Sequence, residues 1–292
     1  MLSYPDIDPV AFSLGPLTVH WYGLMYLLGF LAAWRVALHR SKRPWSPVHK
    51  NQIEDLIVYS AFGVILGGRF GYVVFYNFEK WFSDPLWLLR IWEGGMSFHG
   101  GLIGVLLALC IYGRKINQPF LALGDFVAPM VPIGLGLGRL GNFIGQELWG
   151  RPTDAWVGMI FPADPQQLAR HPSQLYEFLL EGVVLFLILI LYSKKPRLRG
   201  VISGLFLVCY GCFRFVVEHF RAPDSHIGFD MFEWMTRGQL LCLPMIAFGL
   251  ALIVWGHISS RAKNETAIVQ SSVTHSSSAQ PPVTPSDSKD VK

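Results

Sequence analysis

Charged side chains are scarce in this sequence. Only 15% of its 292 residues are Asp, Glu, Lys or Arg, whereas 52% are hydrophobic and the mean hydropathy is +0.38. Soluble domains carry about 25% charged residues. This composition therefore excludes an ordinary soluble domain and predicts a membrane protein.

The apolar residues recur in blocks of roughly 17–25 residues, which is long enough for a helix to cross the ~30 Å hydrocarbon core of a bilayer. The sequence predicts an all-α fold, a polytopic integral membrane bundle of about seven transmembrane helices. The predicted spans cover about residues 17–38, 54–76, 96–113, 121–141, 174–192, 201–219 and 238–257.

Cysteine is also scarce, and common catalytic signatures are absent. All four cysteines fall inside predicted spans, where a thiol behaves as a small apolar group. The segment "CYGC" has the spacing of a redox pair, but nothing around it indicates a redox fold. No cluster of His, Cys, Asp and Glu has metal-ligand spacing, and there is no Walker loop and no GxSxG elbow. We predict no metal and no cofactor.

Lys and Arg concentrate in alternate loops. Twelve lie in the loops on one predicted side of the membrane and six in the loops on the other. Because Lys and Arg are enriched in cytoplasmic loops, the N-terminus is predicted to lie outside and the C-terminus in the cytoplasm. The formal net charge of +4 follows from this loop bias, so we predict no nucleic-acid partner.

The chain divides into one membrane domain and one tail. Residues 1–258 form the predicted transmembrane domain. From residue 259 the chain is rich in Ser, Thr and Pro without apolar periodicity, which predicts a disordered cytoplasmic tail over 259–292. The segment 142–173 is longer than a connector needs to be and contains Trp149, Trp156 and several prolines. We expect this segment to form a small cap on the outer face.

Three arginines, Arg69, Arg139 and Arg214, fall within predicted spans and are not explained by the loop bias. An ionisable group at membrane depth costs about 2.5–3.5 kcal/mol on insertion scales, so each arginine is a functional candidate. The alternatives are snorkelling to an interface and pairing with a structural carboxylate.

Polar stripes on the sixth and fifth predicted spans offer partners for these arginines. Spacings of 4, 4 and 3 place four residues of the sixth span on one helix face: Tyr210, Arg214, Glu218 and Arg221. Spacings of 3 and 4 do the same on the fifth span for Gln174, Glu177 and Glu181. We expect an Arg214–Glu218 ion pair, and we expect Glu177 and Glu181 to be structural partners of the intramembrane arginines.

His99 lies at the outer start of the third span, between paired glycines in "GGMSFHGG". Glycine lets the backbone approach a ligand closely, so a binding role and a structural role both stay open for His99. Tyr22 and Tyr26 share a face of the first span, where an aromatic interface belt is the alternative to a site. Arginines without a metal suit an anion, because guanidinium groups match phosphate. In a membrane, the abundant phosphate belongs to lipid headgroups.

Five ordered segments resemble the prolipoprotein diacylglyceryl transferase family over about residues 10–255. They are "HWYGLMYLLGF", "GGMSFHGGLIG", "GLGRLGNFIGQELWGR", "RHPSQLYE" and "GLFLVCYGCFRFVVEHFRAPD". The resemblance implies a seven-span enzyme of the bacterial inner membrane, with catalysis in the domain 1–258. Such an enzyme transfers the diacylglyceryl group of phosphatidylglycerol to the lipobox cysteine thiol of a prolipoprotein, forms a thioether and releases glycerol phosphate.

The resemblance also implies site residues. Arg139 of the GRxGN motif would contact the phosphatidylglycerol headgroup, and Arg214 would be the second essential cation. Further positions that match the family pattern are Tyr22, His99, Asn142, Glu147, Gly150, Tyr210 and Glu218. Many members read "NFINGE" where this chain reads "NFIGQE", so no role carries over to Gly145 or Gln146.

These residues suggest a mechanism. Arg139 and Arg214 clamp the phosphate and stabilise the departing charge. His99 is the candidate base, because histidine titrates near neutrality. Tyr22 and Asn142 hydrogen-bond the headgroup, and Glu218 positions Arg214. The alternative class is a lipid transporter or flippase, which would also place polar groups and a lipid inside a helix bundle.

Overall fold

The computed structural model describes residues 2–5, 7–15, 17–222 and 235–277, without the side chains of 261–277. Within this part of the chain the fold is mostly helical. Its α-helices are α1 (Trp21–Arg40), α2 (Ile53–Tyr76), α3 (Phe78–Ser83), α4 (Phe98–Lys115), α5 (Phe120–Val127), α6 (Val131–Ile144), α7 (Ser173–Glu177), α8 (Leu185–Tyr192), α9 (Val201–Val217) and α10 (Arg237–Ser277). A π-helical segment, Phe178–Val184, joins α7 to α8.

Short strands flank the helices, so the prediction of an all-α fold is wrong in this respect. They are β1 (Leu2–Ser3), β2 (Val10–Leu14), β3 (Leu17–His20), β4 (Met159–Ile160) and β5 (Ala169–Arg170). β2 and β3 form an antiparallel hairpin that turns at Gly15, whose φ is +61°. β1 pairs in parallel with β4, and β4 pairs antiparallel with β5. β1, β2 and β3 precede α1, and β4 and β5 lie between α6 and α7. In these non-helical segments the backbone groups need hydrogen-bond partners that no helix supplies.

Five helical segments are long and apolar enough to cross a membrane in the part of the chain described. They are Trp21–Arg40, Lys50–Tyr76, Phe120–Ile144, Ser173–Tyr192 and Arg237–Ser260. The protein is therefore polytopic, but two of the seven predicted spans fall outside this set. The sixth is the shorter apolar helix α9. The third corresponds to α4, which is rich in glycine and ends in Arg114 and Lys115.

Helix α10 continues beyond the membrane-length segment. Its backbone is helical through Ser277, so helix occupies the first part of the tail for which the composition predicts disorder. Extending an existing helix needs no new nucleus, which lowers the barrier to helix formation in a polar sequence. Residues 278–292 lie outside the described part of the chain.

Helices pack at backbone contact where glycines face one another. A Cβ added to Gly63 of α2 would lie 2.6 Å from the carbonyl oxygen of Gly104 in α4. A Cβ added to Gly182 of the π-helical segment would lie 2.8 Å from the Cα of Gly136 in α6. Small residues at such crossings let helix backbones approach closely in membranes. The second contact brings α6 onto the segment that follows α7.

Arg69, one of the three unexplained arginines, is structural. It is almost fully buried and donates hydrogen bonds to the carbonyls of Leu88 at 3.1 Å, Trp87 at 2.7 Å and Gly94. Its guanidinium also lies 4.6 Å from the centroid of the Trp87 ring. Arg69 thus satisfies the carbonyls of the segment between α3 and α4.

A second buried polar group fixes the start of α9. Asp125 of α5 accepts hydrogen bonds from the backbone N–H groups of Gly200 at 2.6 Å and Ser203 at 2.7 Å. Its backbone carbonyl accepts a hydrogen bond from Arg40 of α1. The first turn of α9 is therefore capped by a side chain from another helix.

Candidate active site

Glu177, at the end of α7, is the centre of a buried ion-pair network. Its side chain is 1% exposed. One carboxylate oxygen binds Nε of Arg139 from α6. The other lies 3.1 Å from Nη1 of Arg214 on α9 and 3.8 Å from Nη1 of Arg221. We call Arg139, Arg214 and Arg221 the arginine cluster, because all three converge on this one carboxylate.

Two further carboxylates hold Arg214. Oε2 of Glu218 lies 2.8 Å from Nη2 of Arg214, one turn along α9, and Oε1 of Glu181 lies 3.8 Å from its Nη1. The predicted Arg214–Glu218 pair is confirmed, as is the pairing of Glu177 and Glu181 with intramembrane arginines. Removing one partner of such a buried pair costs about 3–5 kcal/mol, so this network holds the arginines in place.

The π-helical segment explains how α6 reaches this network. It begins immediately after Glu177 and contains Glu181. Its Gly182 lies against Gly136 of α6 with no room for a side chain at either position. Because α6 can approach this closely, Arg139, one turn beyond Gly136, reaches Glu177. π-Helical turns are frequent at functional sites.

The loop after α6 carries two more predicted site residues. Nδ2 of Asn142 donates to Oε2 of Glu147 at 3.4 Å, and the backbone N–H of Glu147 donates to the carbonyl of Asn142 at 2.9 Å. The flanking residues Gln146 and Leu148 have φ values of +53° and +57°, in the left-handed region. Oε1 of Gln146 accepts a hydrogen bond from the N–H of Ala163 at 2.8 Å. Gln146, one of the two residues that depart from the family pattern, thus ties this loop to the segment between β4 and β5.

Asp164 and Arg170 stabilise that segment. Nε of Arg170 donates to Oδ2 of Asp164 at 2.6 Å, and its Nη2 donates to Oδ1 at 3.2 Å. The guanidinium and the backbone N–H groups of Gln166 and Leu168 hold the pKa of Asp164 below its usual value. The bidentate Arg170–Asp164 pair therefore holds in place the segment that contains Ala163, the hydrogen-bond partner of Gln146.

Tyr22 and Gly150 lie at the edges of the site. A Cβ added to Gly141, between Arg139 and Asn142, would lie 2.8 Å from the Tyr22 ring, and the Tyr22 hydroxyl is 3.1 Å from that of Tyr26. Gly150 donates its N–H to the carbonyl of His171 at 2.9 Å. It also forms a β-bridge with Arg221. Gly150 therefore joins the loop after α6 to the end of α9.

Tyr210 lies on α9, one turn before Arg214, and its ring stacks on Phe206 with the centroids 5.7 Å apart. Glu181, Arg214 and Arg139 are among its electrostatic neighbours. The predicted face of Tyr210, Arg214 and Glu218 therefore meets the ion-pair network.

His99 is not part of this network. It is exposed at the start of α4, and in the described part of the chain no hydrogen bond or ion pair joins it to the arginine cluster. Its neighbour Gly100 packs on Gly67 and Gly71 of α2. The role of base stays a prediction for His99.

Sequence reasoning did not commit to Arg221 or Gln174 as site residues. Arg221 joins the network through Glu177, and its place on the polar face of the sixth span was the available signal. Nε2 of Gln174 donates to the carbonyl of Glu147 at 2.6 Å, a contact between distant segments that no sequence pattern announces. Among the described residues, no three His, Cys, Asp or Glu side chains are grouped to hold a metal ion.

Comparisons with known proteins identify the family of the chain. The family described as "Prolipoprotein diacylglyceryl transferase" matches residues 9–255. A phosphatidylglycerol–prolipoprotein diacylglyceryl transferase of Teredinibacter turnerae is 60% identical over 267 residues, covering 88% of this chain and 93% of the relative. A relative with the same description from Ectopseudomonas mendocina is 56% identical, covering 88% of this chain and 97% of the relative. One from Pseudomonas aeruginosa is 52% identical, covering 91% of this chain and 100% of the relative. The chain belongs to the prolipoprotein diacylglyceryl transferase family.

Proposed function

We propose that the arginine cluster binds the phosphate of phosphatidylglycerol while its diacylglyceryl group is transferred to the lipobox cysteine of a prolipoprotein. The activity follows from the family: phosphatidylglycerol–prolipoprotein diacylglyceryl transfer, the first step of lipoprotein maturation. A transferase is thus favoured over the lipid transporter that the sequence left open. The observation that carries the phosphate assignment is the convergence of Arg139 and Arg214 on Glu177.

The Glu177 carboxylate lies between the guanidinium groups of Arg139 and Arg214, so the two arginines can bind one anion together. Its two oxygens resemble two oxygens of a phosphate, and arginine forks bind both groups in the same planar way. Arg139 uses its Nε on Glu177. In the described part of the chain no bond occupies its two Nη groups, and its side chain is 20% exposed. These donors are available to a phosphate from the lipid side.

The reaction forms a bond between the cysteine sulfur and C3 of the lipid glycerol, and breaks the bond from C3 to the phosphate oxygen. The electron pair of the broken bond stays on that oxygen, so the leaving glycerol phosphate gains one negative charge. Donors fixed in advance at this oxygen favour the transition state. The carboxylates of the network supply that fixation, because they hold Arg139 and Arg214 before the lipid binds.

The thiol must lose its proton, since its reference pKa is ~8.5 and the thiolate is the nucleophile. His99 is our candidate for the base. Its exposure supports this role, because an exposed imidazole is open to a substrate peptide. The proton passes from the thiol to the imidazole as sulfur attacks C3.

The remaining site residues act around the phosphate. Tyr22 and Asn142 hydrogen-bond the headgroup, and Glu147 orients the Asn142 amide. Glu218 holds Arg214, and Tyr210 fills the space beside it. The backbone of Gly150 keeps the loop after α6 on the end of α9.

The same proposal includes the placement in the membrane. The N-terminus lies outside and the C-terminus in the cytoplasm of a bacterial inner membrane, with residues 1–258 as the seven-span catalytic domain. Residues 142–173 cap the outer face, and residues 259–292 form the cytoplasmic tail. The distribution of Lys and Arg between the loops supports this arrangement.

The test is mass spectrometry of a lipobox-cysteine peptide incubated with the purified protein and phosphatidylglycerol. We expect the peptide to gain a diacylglyceryl group with the unmodified protein, and none with Arg139→Ala. Arg139→Lys is expected to be poor as well, because a point charge does not replace the guanidinium fork.

Arg90→Ala is the matched control, since Arg90 is also held by two carboxylates, Asp84 and Glu93, but lies outside the arginine cluster. It should retain transfer. Full transfer by Arg139→Ala would refute the phosphate assignment. Lipid flipping without any added mass from the unmodified protein would favour a transporter.

A further inference from the structure

The side-chain amide of Gln174 is buried with one end unpaired. Gln174 lies on α7 and is 1% exposed. Its Nε2 donates to the carbonyl oxygen of Glu147 at 2.6 Å. Because that oxygen can only accept, the amide nitrogen must face it, and this fixes the orientation of the amide. No donor among the described residues reaches Oε1 of Gln174.

Such an acceptor is unusual in a folded protein. Most buried polar atoms have a partner, and an exception calls for an explanation such as a ligand. Leaving a buried acceptor unpaired is unfavourable, and the cost is recovered when a donor binds. Gln174 Oε1 is therefore a ready acceptor for a ligand hydroxyl.

The surroundings of Gln174 are the proposed headgroup residues. Glu177, which holds Arg139 and Arg214, follows three residues later on the same helix face. Glu147, which holds the Gln174 amide, also accepts a hydrogen bond from Asn142. Three residues of α-helix rise about 4.5 Å. This is about the distance that separates a phosphate from a hydroxyl on a glycerol attached to it.

We propose that Oε1 of Gln174 accepts a hydrogen bond from a hydroxyl of the lipid headgroup, and that this contact selects lipids with a hydroxylated headgroup. The proposal rests on the proposed function, since it places the lipid phosphate at the arginine cluster. A site built to pair a hydroxyl discriminates against analogues that lack it, because its own polar group then stays buried and unpaired.

The experiment measures headgroup discrimination by internal competition. Phosphatidylglycerol and phosphatidylpropanol, which lacks the headgroup hydroxyls, are mixed in the same vesicles with isotopically distinct acyl chains, and the two lipidated peptides are quantified by mass spectrometry. The product ratio gives the ratio of kcat/KM for the two lipids. Because both lipids compete for the same enzyme molecules, this ratio does not depend on the fraction of a variant that is folded.

We expect the unmodified protein to prefer phosphatidylglycerol by about 10- to 100-fold, the range that one buried hydrogen bond provides. In Gln174→Leu and Gln174→Met the preference should fall to within about threefold of unity. Gln166→Leu is the control, because it removes the amide of another glutamine, an exposed one whose Oε1 accepts a hydrogen bond from Arg170 outside the arginine cluster. It should leave the ratio unchanged.

Two results would overturn the proposal. The first is an unmodified protein that uses both lipids equally. The second is a preference that survives in the Gln174 variants while both rates fall by the same factor, which would mean that Gln174 only positions Glu147. Failure of the proposed function is distinct, since neither lipid would then modify the peptide with the unmodified protein.

Discussion

Replacing Glu177 by glutamine tests whether the arginines are held before the lipid arrives. Gln keeps the size of the side chain but removes the charge that Arg139, Arg214 and Arg221 share. Arg214 retains Glu218 at 2.8 Å and Glu181 at 3.8 Å. The loss therefore falls mainly on Arg139.

The magnitude follows from the burial of the network. Removing one partner of a buried ion pair costs about 3–5 kcal/mol. Because Arg139 is 20% exposed and regains some hydration, the lower end, about 3 kcal/mol, applies here. If that energy fixes the guanidinium for the transition state, its loss reduces the rate by about 100-fold, at one factor of ten for each 1.36 kcal/mol.

Measuring kcat and KM separately distinguishes two roles for Glu177, positioning Arg139 and competing with the lipid phosphate for the arginines. Glu177 and the phosphate seek the same cations, so Glu177→Gln should not raise the KM for phosphatidylglycerol. Instead kcat should fall by about 100-fold. Glu93→Gln is the control, since it neutralises another carboxylate that faces an arginine, Arg90, at 3.3 Å. The control should keep kcat within about twofold.

An unchanged or increased kcat in Glu177→Gln would refute the reasoning. Glu177 would then be a competitor of the phosphate and not a support for Arg139. The thermal midpoint in one detergent, measured beside the kinetics, shows whether each variant remains folded.

Two more pairs of variants test the contacts that place the site. Gly182→Ala adds a Cβ that would lie 2.8 Å from the Cα of Gly136. Helix α6 must then move away, and transfer should fall by about tenfold or more. Gly134→Ala is the control, because a Cβ at Gly134 would have no atom within 4 Å, and it should retain the activity. Equal activity of the two variants would contradict the close-contact argument. Gln146→Ala loses the hydrogen bond to Ala163 and keeps a side chain at a left-handed φ of +53°. Gln146→Gly loses the same hydrogen bond but removes about 1 kcal/mol of backbone strain. We therefore expect Gln146→Ala to be the less stable of the two variants. Thermal unfolding of the two variants under one condition measures this difference, and a higher midpoint for Gln146→Ala would show that the backbone is not strained.

Local patterns in the sequence were enough to predict the helices and the ion pairs within them. The apolar blocks correspond to helices, and helical spacing paired Arg214 with Glu218. Both features depend on residues close in the chain, where the geometry of the helix alone decides which side chains meet. Glu177 could be assigned to the arginines because a buried carboxylate in an apolar helix needs a cation.

Contacts between distant segments were not predictable in the same way. β1 pairs with β4 across more than 150 residues, and neither segment is long enough to show an alternating pattern. Arg69 could not be told from a site arginine until its carbonyl partners at Trp87 and Leu88 were known. The separation of His99 from the network likewise depends on the packing of α4 against α2. The sequence holds no local signal for any of these pairings.

The attachment of α9 limits how the site can open. Asp125 holds its first turn through Gly200 and Ser203. Beyond its last turn, the N–H of Arg151 donates to the carbonyl of Phe220 at 2.8 Å. These contacts at both ends of α9 restrain the position of Arg214. Moving Arg214 away from Arg139 would therefore have to break contacts at both ends of α9.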